Sequence, residues 1–163
     1  MNNSNVQMEL TICDTVLADI QSIVTRIGAT NPVSAYLTMY AVIRACGCIE
    51  AVFKAEIADF CDNGSKVQVK RFISKRIREG SANPSINNIL RFLKEFDTTW
   101  HSTFSANLNA ELNAVQLRTS LQSLVDARNE FAHGGSPTVS LADVILYFTH
   151  AKRIIEIIDA AIV

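Results

Sequence analysis

Apolar residues recur at steps of three and four along nearly the whole chain, and that period points to helices. In residues 6–28 they fall at Val6, Leu10, Cys13, Val16, Leu17, Ile20, Ile23, Val24 and Ile27, one face of a helix with 3.6 residues per turn. Gly28 offers a stop. Asn31 and Pro32 then supply a cap and a first-turn proline for a long helix over roughly 32–61. It is apolar on most sides, as the central helix of a bundle must be. "DNGS" at 62–65 ends it. "KVQVKRFISKRIR", 66–78, reads as a third, basic helix, and Asn83 with Pro84 opens a fourth, "SINNILRFLKEF". Residues 98–109, "TTWHSTFSANLN", show no clear period and many turn formers, so a loop is expected. A fifth helix runs from about 110 to 133 and stops at Gly134, Gly135 and Pro137. Ser140 and Asp143 make a capping box for a sixth over 141–162. No stretch alternates as a strand does. The expectation is an all-α bundle of about five to six helices. It forms a single domain over 1–163, with 1–29 as an N-terminal helix and 32–162 as the bundle core.

The 163 residues, 48% hydrophobic, suffice for one sizeable core. Only 19% are charged, and this suits either a well-filled core or a core plus an apolar face covered in a homo-oligomer. With a net charge of −1 the chain as a whole is no polyanion binder, so any nucleic-acid contact needs local clustering of cations. The fully apolar runs fall far short of the about 20 residues of a membrane span, and "MNNSNVQMEL" lacks the pattern of a signal peptide. Cys13, Cys46, Cys48 and Cys61 form no C-x-x-C and sit in apolar helical patterns, as buried thiols in a reducing compartment do. A cytoplasmic protein without a membrane partner is expected.

One residue breaks the pattern. Leu117, Leu121, Leu124, Arg128 and Phe131 follow steps of 4, 3, 4 and 3, so Arg128 stands about 20° from Leu117, near the middle of an apolar stripe. An unpaired charge in a dry core is costly. Arg128 therefore pairs with a buried carboxylate, reaches out past the helix end, or lies where the stripe leaves the core for a cleft or subunit interface. His133 follows at the end of the same helix, about 140° round from Arg128, where the partial negative charge of the helix C-terminus suits a cationic ring. Asn129, one turn before His133, is placed to hydrogen-bond it. An imidazole and a guanidinium together can move protons and hold a phosphate.

"RNEFAHGG", residues 128–135, resembles the Arg-polar-x-x-x-His signature of the HEPN superfamily, closest to its RiboL-PSP-like group. Arg128, Asn129 and His133 fall on the three marked positions, and the likeness extends with decreasing specificity over about 34–162. The resemblance implies a metal-independent endoribonuclease, the toxin of a toxin–antitoxin pair or an anti-phage effector. It implies a homodimer whose two motifs share one cleft, with RNA as substrate and an antitoxin or other regulatory protein as further partner. By this analogy His133 is general acid or base on a ribose 2′-hydroxyl, leaving a 2′,3′-cyclic phosphate. Arg128 stabilises the charge on that phosphate, and Asn129 orients the histidine or touches the RNA. The alternative is a non-catalytic HEPN-like module that binds RNA, a nucleotide or a protein.

Other candidates surround the motif. Glu50 interrupts the long helix, either as an i, i+4 partner of Lys54 on a solvated edge or as a carboxylate facing Arg128. Lys66, Lys70, Arg71, Lys75, Arg76 and Arg78 put six of fifteen basic residues into thirteen positions, with Val69, Ile73 and Ile77 as the buried edge. This is the densest positive patch and the candidate track for an RNA backbone. Trp100, His101 and Phe104 are candidates either for base stacking or for anchoring their segment on the core. His150 is off the apolar stripe of its helix and expected to be exposed. No Gly-rich phosphate loop, metal-ligand spacing or serine elbow is found, so no cofactor and no metal are expected.

Overall fold

The computed structural model describes residues 1–162, and among them no strand occurs. The helices are α1 (Ser4–Ile27), α2 (Pro32–Asp62), α3 (Val67–Ile73), α4 (Ile86–Phe96), α5 (Thr98–Ala110), α6 (Ala114–Ala132) and α7 (Leu141–Ala161). The third ends in a five-residue π-turn, Ser74–Arg78.

The caps lie close to where the residue types put them. Asn31 accepts from Val33 N–H ahead of Pro32, and the Ser140–Asp143 capping box closes in both directions. At the fourth helix the cap is Ser85 rather than Asn83. Asn83 instead accepts from the Ser85 N–H at 3.1 Å and turns the chain into the helix.

The segment 98–109 is a helix, not a loop. Asp97 caps it, accepting from the N–H groups of Thr99 and Trp100. Trp100, Phe104 and Leu108 recur every four residues and are all buried. A narrow stripe of three large side chains outweighs the weak helix propensity of the Thr, Ser and Asn residues, which mostly face solvent.

The central helix is α2, which packs against α1, α6 and α7. The fully buried side chains include Ile49 and Phe53 of α2, Phe104 of α5, Leu121 of α6 and Phe148 of α7. Phe53 meets Phe92 of α4 edge-on at 5.6 Å between ring centres. By length and composition α2 could cross a membrane, with mean hydropathy 1.4 over 18 residues, but half of that window is buried inside the bundle. The cysteines follow the expected pattern, with Cys13, Cys46 and Cys48 buried and Cys61 half-buried.

Candidate functional site

The end of α6 is set by backbone chemistry. His133 is the C-cap (φ −94°, ψ 14°). Gly134 N–H donates to Phe131 C=O at 3.0 Å, and Gly135 N–H reaches back to Glu130 C=O at 2.8 Å. These two bonds form a Schellman closure, which needs a left-handed residue directly after the cap. Gly134 takes that place with φ +82°. A Cβ on Gly135 would lie 2.6 Å from Glu130 Cγ and 2.9 Å from its carbonyl oxygen, so this glycine is required by space. The pair of glycines thus holds His133 at the mouth of the helix. The histidine is exposed.

Arg128 is half-buried, its side chain 27% exposed. Of the three ways to accommodate the charge, the carboxylate is present within the chain: Nη2 lies 3.3 Å from Glu50 Oε2 on α2. Its Nη1 donates to Asn129 Oδ1 at 3.2 Å. The Asn129 amide oxygen therefore serves the arginine. Its residue is tied to His133 through the backbone, His133 N–H donating to Asn129 C=O at 3.1 Å.

Glu50 is the hub of this cluster. Its Oε1 accepts from Lys54 Nζ at 3.1 Å and from Ala82 N–H at 2.9 Å. Lys54 donates onward to Gly80 C=O at 2.7 Å. Lys54 is buried, so the i, i+4 pair is real but not on a solvated edge. The carboxylate faces the motif as well. Spacing alone could show only the Lys54 pair, because the Gly80–Ala82 backbone and Arg128 arrive from distant parts of the chain. Cys46 also sits against Arg128. Burial pushes its thiol up from the ordinary range, and the guanidinium's hydrogen bond and charge pull it part of the way back.

The basic segment divides. Lys66, Lys70, Arg71, Lys75 and Arg76 are exposed, with Lys75 held by Glu79 at 2.6 Å. Arg78 does not belong to an open track. It bridges Asp59 and Asp62 of α2, which pushes it up from its ordinary value against the cost of burial. Ile73 is buried and Ile77 half-buried, but Val69, one turn before Ile73 on α3, is exposed. Phe72, absent from the candidates above, is 62% exposed, with the Arg76 guanidinium 5.9 Å from its ring centre.

Trp100 and Phe104 are buried and cannot meet a base; Trp100 packs edge-on to Phe60 at 4.9 Å. His101 is half-buried. His150 is not exposed as expected: it is half-buried, and its Nδ1 is 2.7 Å from the hydroxyl of the buried Ser120 across the α6–α7 seam. Among the described residues no group of three His, Cys, Asp or Glu side chains could hold a metal ion.

No curated protein and no solved structure matches the chain. The RiboL-PSP-HEPN family matches it over residues 11–163, a span that holds the whole bundle from α2 onward and the Arg128–His133 segment. By that match, on an all-helical fold, the protein belongs to the RiboL-PSP-HEPN family.

Proposed function

We propose that the chain is a metal-independent endoribonuclease that acts as a cytoplasmic toxin or anti-phage effector under the control of an antitoxin or other regulatory protein. The observation that carries this reading is the end of α6, where an exposed histidine is held by a Schellman turn a few residues after a half-exposed arginine. An exposed imidazole can take the proton of a ribose 2′-hydroxyl as it attacks the neighbouring phosphorus, and return one to the departing 5′-oxygen. The Arg128 guanidinium stabilises the charge gathering on the phosphate oxygens. Glu50 and Asn129 aim that guanidinium by holding one nitrogen each. The test is cleavage of single-stranded RNA by the purified protein in EDTA, with a 2′,3′-cyclic phosphate end on the product.

The reading includes a homodimer. Since Glu50 answers the Arg128 charge within the chain, the arginine by itself does not demand a partner. A different observation supports one. Val33, Tyr36, Tyr40, Ile43 and Gly47 follow steps of 3, 4, 3 and 4 along α2, and the four large side chains are exposed, Tyr36 by 76%. This is the spacing of a helix–helix seam, and nothing stands within 4 Å of a Cβ built on Gly47, so a second helix can come close. Glu50 lies one heptad beyond Ile43, about 20° round, so the seam runs onto the Arg128 cluster. The expected result for Ile43→Glu is a monomer by light scattering, with cleavage lost and the helical content kept. A wild-type monomer would remove this part of the reading.

Lys70, Arg71, Lys75 and Arg76 serve as the RNA backbone track, and Phe72 offers an open ring face for an unpaired base. Replacing Arg71 or Arg76 with Ala is expected to flatten the salt dependence of binding. The loss is about 0.7 in the slope of log K against log salt per phosphate contact, read by titrating labelled RNA at several salt concentrations. Arg78→Ala is expected to act differently, loosening the join between α2 and the 74–78 turn without changing that slope.

The Arg128–Glu50 pair also favours a second reading, a non-catalytic RNA-binding module in which the guanidinium is structural. RNA that is bound and left whole selects it.

A further inference from the structure

The C-terminal end of α2 carries charge that the Arg128 cluster does not use. A cavity of about 620 Å³ opens there, lined by Glu56, Asp59, Phe60 and Asp62 of α2, Asp159 and Ile162 at the end of α7, and Asn2, Asn3, Ser4 and Asn5 at the start of the chain. Two of its carboxylates are occupied. Asp59 accepts from Asn3 and Arg78, and Asp159 accepts from the Asn2 N–H with both oxygens. Glu56 is 96% buried, being only 4% exposed, and its Oε1 has no hydrogen-bond partner; neither has Asp62 Oδ1. A buried carboxylate oxygen without a donor is costly, and a native structure answers it with ordered water, an ion or a ligand. Burial first, and then the charge of Asp159, push the Glu56 carboxyl up to about 8 against a hydrogen bond from Asn3, so its protonated form predominates at pH 7.

The lining selects the ligand. Among the described residues no three carboxylates are grouped so as to hold one metal ion. Glu56 and Asp62 are six residues apart, about 9 Å of helix rise, too far for one small ion to bridge and within reach of a flexible chain with charged ends. Phe60 and Ile162 offer apolar walls to methylene groups, and an ammonium also gains from an aromatic face. Lys70 on the rim, Arg78 and the Met1 amino group, 3.9 Å from Asp159, oppose a cation. They leave Glu56 Oε1 and Asp62 Oδ1, both buried, as the acceptors without a partner, Asp62 Oδ2 being held by Arg78.

We propose that this cavity binds an aliphatic di- or polyamine, with one ammonium on Glu56 and another on Asp62. The amine enters charged and Glu56 must be ionised to receive it, so each binding event at pH 7 releases a proton from the protein. Affinity rises as pH rises through about 8, where Glu56 ionises unaided.

The experiment is isothermal titration of the full chain with spermidine, and separately putrescine, at pH 7 in two buffers of different ionisation enthalpy. The expected result is a Kd of about 1 mM or tighter, the order that two charge-assisted hydrogen bonds supply. Close to one proton should be released, and Glu56→Gln should bind at least about ten-fold more weakly with no proton release. The wild-type proton count needs no variant, and a thermal melt shows that Glu56→Gln is folded. The proposal is overturned by absence of binding at millimolar amine, by binding that Glu56→Gln leaves unchanged, or by an equal response to MgCl₂ at the same ionic strength.

Discussion

His133→Ala is expected to lower RNA cleavage by about 10²–10⁴-fold while leaving the fold and RNA binding intact. The imidazole is exposed at the helix end and takes part in no core packing, and the Schellman closure is made by backbone groups of the flanking residues, without its ring. Alanine at the C-cap therefore removes a proton carrier and little else. Arg128→Ala is expected to cost about 10²–10³-fold in rate through loss of charge stabilisation. Its effect on stability is small, because Glu50 keeps Lys54 and the Ala82 N–H as partners. Single-turnover rates with circular dichroism and an RNA-binding titration check both variants. A His133→Ala protein that cuts at the wild-type rate removes the proposed mechanism.

The second large effect falls on stability. Glu50→Ala is expected to destabilise the fold by about 3 kcal/mol, since breaking a buried pair leaves the other charge unanswered. The residue left behind is Lys54, with a side chain only 8% exposed and one remaining acceptor, Gly80 C=O. The Ala82 N–H loses its acceptor in the same step. Urea unfolding should show the loss, and the double variant Glu50→Leu with Lys54→Met should recover much of it, because removing both charges ends the desolvation problem. Equal stability of Glu50→Ala and wild type would mean that the hub contributes nothing. The two predictions separate roles on one cluster: Arg128 and His133 are read by rate, and Glu50 mainly by stability.

The helices were legible wherever the apolar stripe was wide and the caps were strong. Asn31–Pro32 and Ser140–Asp143 lie where residue type puts them, because capping is a local event between neighbours. Residues 98–109 misled because their stripe is only three residues, Trp100, Phe104 and Leu108, set among turn formers. Local preference said loop, and burial against the bundle decided otherwise. Val69 misled in the opposite direction: it lies within about 40° of the buried Ile73 on α3 and is exposed nonetheless.

By itself, the order of residues determined the all-helical class, most of the helix ends and the placing of His133 at a helix mouth. Each depends on contacts within a few positions, which spacing and capping chemistry report directly. Tertiary structure alone decided which carboxylate answers Arg128 and why Lys54 is buried. It also decided that Arg78 belongs to Asp59 and Asp62, that His150 meets Ser120, and that Glu56 and Asp62 share a cavity with bare oxygens. Those outcomes join groups from 16 to 78 positions apart, or from both ends of the chain. No local period encodes such pairings, because they are set by how the helices cross.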